Sequence, residues 1–302
     1  MCILSYIFHP VVPKSIEYGF LLPSPDKWDF NPFWSWMVNT LLLLLTSLLL
    51  FFVNKSYNFV RTTEPSLLAL FLIMSTSGPW FTEGLNSSVL ICLANVVCLG
   101  IIFDSYDSRN ATQEMFTLGL VAGMGGMVQY GFFPMGILYF LWSLFMKVMR
   151  VKEVLAYIAG LLCPYWIFIG IGWLSFSDIH YPSLTPMFSY IQDPSELIIL
   201  LTGISLAAIL GFIISMVNSI KLYAGNSKVN AMNLCVISMG VMSLLCIILD
   251  FENMSAYVET LYLATAVQIA NICALWNPRE PWMVTVFPGV CYIGLFACSL
   301  FL

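Results

Sequence analysis

The densest run of polar side chains lies between two apolar stretches, at residues 103–116, and reads FDSYDSRNATQEMF. Asp104 and Asp107 are three residues apart, so they would share one face if the preceding helix continued. One interpretation is a hydrogen-bonded loop that fixes two helices, in which Asn110 or Thr112 caps the second helix. The other is a site for a phosphate, a cation or a proton. The candidate residues of this loop are Asp104, Asp107, Arg109, Gln113 and Glu114.

A second set of side chains places carboxylates among aromatic residues. Asp26 and Asp29 flank Trp28, and Glu83 follows Trp80 and Phe81. Carboxylates can act as general bases or bind a divalent ion, so Asp26, Asp29 and Glu83 are the catalytic candidates for chemistry on a sugar. Aromatic and acidic residues are also what the edge of any membrane protein presents, and that interpretation stays open beside the first.

Three amides stand inside long apolar stretches, namely Gln129, Gln268 and Asn271. Gln268 and Asn271 are three residues apart and would lie on one helix face. Amides surrounded by lipid need partners, which predicts hydrogen bonds between helices and leaves a ligand site as the alternative. The nearby run of small residues at 119–126 predicts close helix packing.

Several chemistries have no support in these residues. The chain has two histidines, too few for a multi-histidine metal centre, and it lacks HExxH, GxSxG and GxxxxGK[ST]. We therefore predict neither a metal site nor a cofactor. No basic stripe or basic–aromatic platform is present, which argues against nucleic-acid binding.

The elements that must position these side chains follow from composition. The chain has 302 residues, of which 60% are hydrophobic and 9% charged, against about 25% charged in soluble domains. A soluble fold could not hide so much apolar surface, so the surrounding solvent is lipid over most of the chain. The sequence predicts an all-α, polytopic transmembrane bundle.

Hydropathy predicts about ten helices within one transmembrane domain, residues 1–302. Eight segments have the length that a bilayer crossing requires, whereas 65–77 and 134–149 are shorter. Residues 33–302 form the bundle, and residues 1–32 form an N-terminal segment. Residues 2–22 are apolar but interrupted by His9, Pro10, Pro13, Lys14 and Glu17, so this part is either re-entrant or a broken first span. The predicted spans are 33–53, 65–77, 85–103, 115–132, 134–149, 154–173, 197–217, 231–249, 258–276 and 282–302.

Basic residues set the orientation of these spans. With the residues before Phe33 outside, only Lys14 and Lys27 of the 11 basic residues lie outside. The positive-inside rule then places the C-terminus outside. The basic residues assigned to the inside are Lys55, Arg61, Arg109, Lys147, Arg150, Lys152, Lys221, Lys228 and Arg279. Acidic residues, including Asp250, Glu252 and Glu259, are assigned to the external loops and their edges.

Two loop motifs, NKSYNFVRTTEP at residues 54–65 and FDSYDSRNATQEMF at residues 103–116, carry a family resemblance. The chain resembles, from about Asn31 onward, an uncharacterised Bacteroidetes family of polytopic inner-membrane proteins of about this length. The resemblance implies a multi-pass protein of a bacterial inner membrane, with a periplasmic C-terminus. It implies no catalytic residue.

Three functions are compatible with these observations, and whether the protein is an enzyme stays open. Short loops, tightly packing spans and the lack of a catalytic signature favour an accessory or scaffold component of envelope or lipid-linked glycan assembly. The first alternative is a membrane glycosyltransferase or flippase acting on a polyprenyl-linked sugar; if residues 2–22 span the membrane, Asp26 and Asp29 lie in its first external loop. The second is a small-solute transporter. The expected partners are membrane lipid, a polyprenyl-phosphate lipid or other envelope proteins.

Overall fold

The regular secondary structure of the described residues is helical. The computed structural model describes residues 1–8, 19–28, 30–60, 64–78, 82, 84–173, 175, 180–181, 184, 186–187, 194–221, 226–273 and 281–301. Within these ranges there are 11 α-helices and no strand. The prediction of an all-α helical bundle is confirmed.

The helices follow one another through short connections where these are described. They are α1 (Cys2–Phe8), α2 (Pro32–Tyr57), α3 (Glu64–Ser75), α4 (Ser87–Asp104), α5 (Thr112–Val128), α6 (Phe132–Phe145), α7 (Val151–Gly170), α8 (Pro194–Lys221), α9 (Ser227–Leu249), α10 (Ser255–Cys273) and α11 (Pro281–Phe301). Each of the ten predicted spans overlaps one helix from α2 to α11. A 3₁₀ turn, Pro25–Lys27, precedes α2.

Asparagine side chains define several of these helix ends. The Asn86 side chain accepts a hydrogen bond from the Ser88 amide at the start of α4. Asn226 accepts from the amides of Lys228 and Val229 at the start of α9. An asparagine before the first turn satisfies amides that have no partner within the helix. Polar caps therefore separate apolar segments that would otherwise run together.

Five helices are long and apolar enough to cross a bilayer. A crossing needs about 20 residues because a helix rises about 1.5 Å per residue. Helices of this length and composition in the described part of the chain fit a membrane-embedded protein, as the sequence predicts. They are α2, α4, α7, α9 and, within α8, Leu200–Ser219.

Helix α10 occupies the centre of the bundle. It packs against α3, α4, α8, α9 and α11, and its residues 256–271 are all buried. Polar side chains in lipid are costly and therefore face the inside of a bundle. The central position of α10 fits its polar content, which includes Glu259, Thr260, Thr265, Gln268 and Asn271.

Helices α5 and α7 lie unusually close together. A Cβ added at Gly119 would overlap the carbonyl oxygen of Tyr157, and one added at Gly160 would overlap that of Phe116. Glycine permits this approach because it presents only backbone to the neighbouring helix. The packing role predicted for the small residues at 119–126 is thus confirmed for Gly119.

The described loops lie at two opposite ends of the bundle. We call the end formed by residues 23–28, 84–88, 129–131 and 250–254 the Asp26 end. The Arg109 end comprises residues 104–111, 146–151 and 226–228. At the Arg109 end, the Asp107 amide donates to the Met146 carbonyl over 3.0 Å, and the Tyr106 hydroxyl lies 3.1 Å from that of Ser227.

The N-terminal segment is described on both sides of residues 9–18. The Trp36 indole donates to the Cys2 carbonyl over 3.2 Å. The amides of Leu21 and Leu22 donate to the Met127 carbonyl. Both contacts lie toward the Asp26 end, and the choice between a re-entrant segment and a broken first span for residues 2–22 stays a prediction.

Candidate functional site

Asp26, one of the three predicted catalytic carboxylates, holds the start of α4. Its Oδ1 accepts from the Ser87 amide over 3.1 Å, and its Oδ2 accepts from the Ser87 hydroxyl over 2.7 Å. The Ser24 hydroxyl also donates to Oδ2, over 3.0 Å. A carboxylate at a helix N-terminus is stabilised by the unpaired amides and by the helix dipole. These contacts favour a structural role for Asp26. Asp29 and Glu83 lie outside the described residues.

The polar loop at the Arg109 end is tied down mainly through its backbone. The Arg150 Nη1 donates to the Arg109 carbonyl over 3.0 Å, while the Arg109 side chain is exposed. Asp104, Asp107 and Gln113 are exposed, and Glu114 is half-buried. The predicted cap by Asn110 or Thr112 is wrong, because α5 follows Ala111 without a side-chain cap. The loop instead docks against the α6–α7 connection.

Gln129 lies at the other end of α5. Its side chain is buried, and its Oε1 has no hydrogen-bond partner. It lines an apolar groove of about 320 Å³ that Trp28, Ser87 and Phe132 also line. The interhelical hydrogen bond predicted for this oxygen is therefore not formed.

Gln268 joins α10 to two neighbouring helices. The Asn218 Nδ2 of α8 donates to the Gln268 Oε1 over 3.0 Å, and the Gln268 Nε2 donates to the Asn233 Oδ1 of α9 over 2.8 Å. The hydrogen bonds across helices predicted for Gln268 are confirmed. Asn218 and Asn233 were not singled out from the sequence, where a lone amide inside an apolar stretch gives no sign of the face it occupies.

Asn271 behaves differently from Gln268. Its side chain is 1% exposed, yet among the described residues neither Nδ2 nor Oδ1 has a hydrogen-bond partner. The Asn218 Oδ1 and the Asn233 Nδ2 are also buried without partners. Gln268, Asn271, Asn218 and Asn233 form what we call the amide cluster. The interhelical hydrogen bonds predicted for Asn271 are not formed, so this cluster has unused capacity to donate and accept.

A small cavity adjoins the amide cluster. It has a volume of about 40 Å³ and lies between α8, α9 and α10, with Ser215, Thr265 and Gln268 as its polar lining. Its other walls include Gly211, Gly240 and Ala264, whose small side chains keep the space open. A cavity needs about 10–15 Å³ to hold one water molecule, so this space admits a small molecule or group beside Gln268.

A network of buried polar side chains that are joined by hydrogen bonds lies nearer the Asp26 end than the amide cluster does. The Tyr139 hydroxyl donates to the Asn95 Oδ1 over 2.9 Å, and the Asn95 Nδ2 donates to the Thr260 hydroxyl over 3.1 Å. All three side chains are fully buried. This network links α6, α4 and α10, and it shows that unpaired amides are not general in the bundle.

Glu259 is the functional candidate that sequence reasoning missed. We predicted it at an external edge, but it lies a full turn inside α10 and is 0% exposed. That prediction is wrong because the helix begins at Ser255 and turns Glu259 toward α3 and α4. Within the described part of the chain, neither carboxyl oxygen has a hydrogen-bond partner of ordinary geometry. The sequence did carry a signal for this site, since Glu259 is an acidic residue inside the predicted span at residues 258–276.

The surroundings of Glu259 come from three helices. Its backbone amide donates to the Ser88 hydroxyl over 3.1 Å, and the Cys92 thiol approaches its carbonyl oxygen at 3.7 Å. Ser75, the last residue of α3, is the polar side chain beside the carboxyl group. By contrast, the buried Asp250 accepts from Asn253 and from the Tyr257 hydroxyl.

Within the described residues, no group of three or more His, Cys, Asp and Glu side chains could hold a metal ion. Comparison of the chain with protein-family models, with curated proteins and with solved structures gave no match. The function is therefore argued from the geometry of α10 and its neighbours.

Proposed function

We propose that this protein moves a small, uncharged polar solute across its membrane through the interior of the bundle, along α10. The observation that carries the proposal is Asn271, whose amide is buried to 1% exposure with neither polar atom paired. It lies one helical turn from Gln268 and within the amide cluster.

The energetic argument concerns the unpaired amide. A buried polar group without a hydrogen bond costs about 1–3 kcal/mol, and most buried polar atoms in folded proteins are paired. A protein that serves only as a scaffold gains nothing from such a residue, since leucine would fill the same space without that cost. A transporter needs groups that pair with the solute during passage and are unpaired otherwise.

The chemistry of the cluster indicates the class of solute. A carboxamide both donates and accepts hydrogen bonds and carries no charge. Gln268, Asn271, Asn218 and Asn233 are all carboxamides, so they suit a neutral molecule with neighbouring donors and acceptors, such as a polyol or an amide. The small cavity beside Gln268 gives such a molecule room at this level of the bundle.

We propose further that the chain crosses the inner membrane of a bacterium at each of α2–α11 and that the C-terminus is periplasmic. Support comes from the charge of the two ends. Among described residues the Asp26 end carries Lys27, whereas the Arg109 end and its edges carry Lys55, Arg109, Lys147, Arg150, Lys152 and Lys228. Basic residues concentrate on the cytoplasmic side. A reporter enzyme active only in the periplasm should be active when fused after Leu302 and inactive after Asn226.

The test of solute movement uses purified protein in sealed liposomes. Glycerol and urea serve as probes, and vesicle swelling after an osmotic step measures their entry. Wild-type protein should accelerate entry of at least one probe over empty liposomes, and Asn271→Leu should remove the acceleration. Gln113→Leu, which replaces an exposed amide at the Arg109 end, is the matched control and should behave as wild type. Equal rates for wild-type and empty liposomes with both probes would contradict the proposal.

The scaffold and polyprenyl-lipid interpretations remain predictions from the sequence, and native mass spectrometry separates them from transport. A protein partner retained in stoichiometric amount from mild detergent favours the scaffold. A retained polyprenyl lipid favours an enzyme or flippase, and would direct mutagenesis to Asp26, Asp29 and Glu83.

A further inference from the structure

Glu259 places a carboxyl group beside one polar side chain, that of Ser75, and no basic side chain of the described residues is positioned to compensate it. The side chain is 0% exposed and both of its oxygens are unpaired. Burying an ionised carboxylate without a partner is far more costly than burying a neutral polar group. Ionisable side chains inside membrane bundles are rare and mark pathways for ions, protons or substrates.

The end of α3 makes an ionised state at Glu259 still less favourable. Helix α3 has 12 residues, which span about 18 Å at 1.5 Å each, less than the bilayer core of about 30 Å. It ends at Ser75, beside the Glu259 carboxyl group, and the Ser75 hydroxyl is also buried without a partner. A helix C-terminus carries partial negative charge, so it repels a carboxylate. Short helices that end within a bundle mark coupling-ion sites in transporters.

The groups that face Glu259 offer no positive side chain. Cys2 approaches from α1, with the α-amino group of Met1 beside it, and Cys92 approaches from α4. Tyr262 lies one turn along α10, with Tyr292 of α11 behind it. In the described part of the chain, α3 contributes only the uncharged Ser75.

These neighbours suit a proton better than a metal cation. Hard cations bind about six or more oxygen ligands. Among the described side chains, Ser75 supplies one hydroxyl beside the carboxyl group and Ser88 supplies another at the Glu259 amide, which are fewer oxygens than a hard cation requires. A proton needs only the carboxyl group itself.

We infer that Glu259 is the proton-exchanging group of the bundle and couples solute movement to a proton gradient, an inference that rests on the proposed transport function. In the occluded state the carboxyl group is protonated. When the bundle opens toward water, the O–H bond breaks, the electron pair stays on the carboxylate, and the proton leaves as hydronium. Reprotonation from the other side restores the neutral, closed state.

Labelling with dicyclohexylcarbodiimide tests the protonation directly. This apolar reagent adds to a protonated carboxyl group in an apolar environment, and the adduct rearranges to a stable N-acylurea that peptide mass spectrometry locates. We expect labelling at Glu259, with a rate that falls about tenfold per pH unit once the carboxyl group ionises. Glu259→Gln should abolish the label, and Asp104→Asn, a change at an exposed carboxylate, should leave it intact.

A second measurement guards against poor access of the reagent. A carboxyl group that binds its proton more tightly in the folded than in the unfolded state makes stability fall as pH rises. Wild-type protein in detergent should therefore lose thermal stability toward alkaline pH, and Glu259→Gln should lose less. Absence of both the label and this pH dependence would overturn the inference.

Two further outcomes distinguish a proton from a sodium ion at Glu259, and failure of the proton site from failure of the proposed transport function. Protection of Glu259 from the reagent by sodium chloride, but not by choline chloride, would replace the proton with sodium and overturn the inference. The labelling does not depend on solute flux. Label without flux of glycerol or urea would contradict the proposed function alone, whereas flux without label or pH dependence would contradict the proton site alone.

Discussion

The substitution Asn271→Leu tests whether the interior amide is unpaired, and it predicts an increase in stability. Asparagine and leucine side chains have the same number of heavy atoms and the same branching. Leucine therefore matches the shape of Asn271 with bulkier methyl groups, and the comparison variant, Asn95→Leu, carries the same increase in volume, so that any overpacking, which costs about 1–3 kcal/mol, affects both. No hydrogen bond is lost, because neither amide atom has a partner.

The expected gain follows from the desolvation penalty. An unpaired buried polar group costs about 1–3 kcal/mol, and Asn271→Leu removes it. Asn95→Leu is the comparison, because Asn95 pairs with both Tyr139 and Thr260. That change leaves two buried partners unpaired and should lower stability by about 1–3 kcal/mol. The two variants make the same chemical change at buried positions with opposite expected signs.

Reversible unfolding in mixed detergent micelles measures both differences under one condition. The solute flux of Asn271→Leu is measured on the same preparation and should fall although the protein is more stable. A loss of stability equal to that of Asn95→Leu would refute the reasoning, since it would mean that Asn271 is paired in the folded protein. Higher stability with unchanged flux would leave Asn271 unpaired but outside the solute path.

Three further changes test how the bundle is held together, each read as the free energy of unfolding in the same detergent system. Gly160→Ala should destabilise the protein by about 1–3 kcal/mol, because the added Cβ overlaps the Phe116 carbonyl. Gly170→Ala is the control and should have little effect, because a Cβ added at Gly170 has no atom within 4 Å. Asp26→Ala should cost about 1–2 kcal/mol through loss of the α4 cap, and wild-type stability would rule out that role. Arg150→Ala should lower the free energy of unfolding by about 0.5–1.5 kcal/mol, because it removes the hydrogen bond to the Arg109 carbonyl. Arg109→Ala should lower it less, because that hydrogen bond uses the backbone of Arg109. A larger loss for Arg109→Ala than for Arg150→Ala would contradict this role of Arg150.

Helix positions were predictable because apolar length is a local property. The predicted spans at 85–103 and 231–249 lie close to Ser87–Asp104 and Ser227–Leu249. Even the short segments 65–77 and 134–149 correspond to α3 and α6. The helix starts were less predictable, since the Asn86 cap starts α4 after Leu85, the predicted first residue, and the Asn226 cap starts α9 before Ala231.

The site was only partly predictable because most helices here are apolar on all sides. In a soluble protein the polar face of a helix marks its exposed side, but in lipid a polar face must be turned inward. Gln268 and Asn271 were recognised because two amides share one face. Glu259 stood near a predicted span boundary and was assigned to water, and single amides such as Asn218 gave no indication of their partners.

The central position of α10 links the fold to the proposed function. Glu259 and Asn271 are 12 residues apart on this helix, or about 18 Å, which is more than half the thickness of the bilayer core of about 30 Å. The paired network at Thr260 lies next to Glu259, and the partly paired amide cluster lies beyond the cavity at Thr265. A small rotation or shift of α10 would therefore change the surroundings of Glu259 and of Asn271 together. Coupling between proton and solute requires such a shared element, and α10 contacts five neighbouring helices through which its movement could open either end.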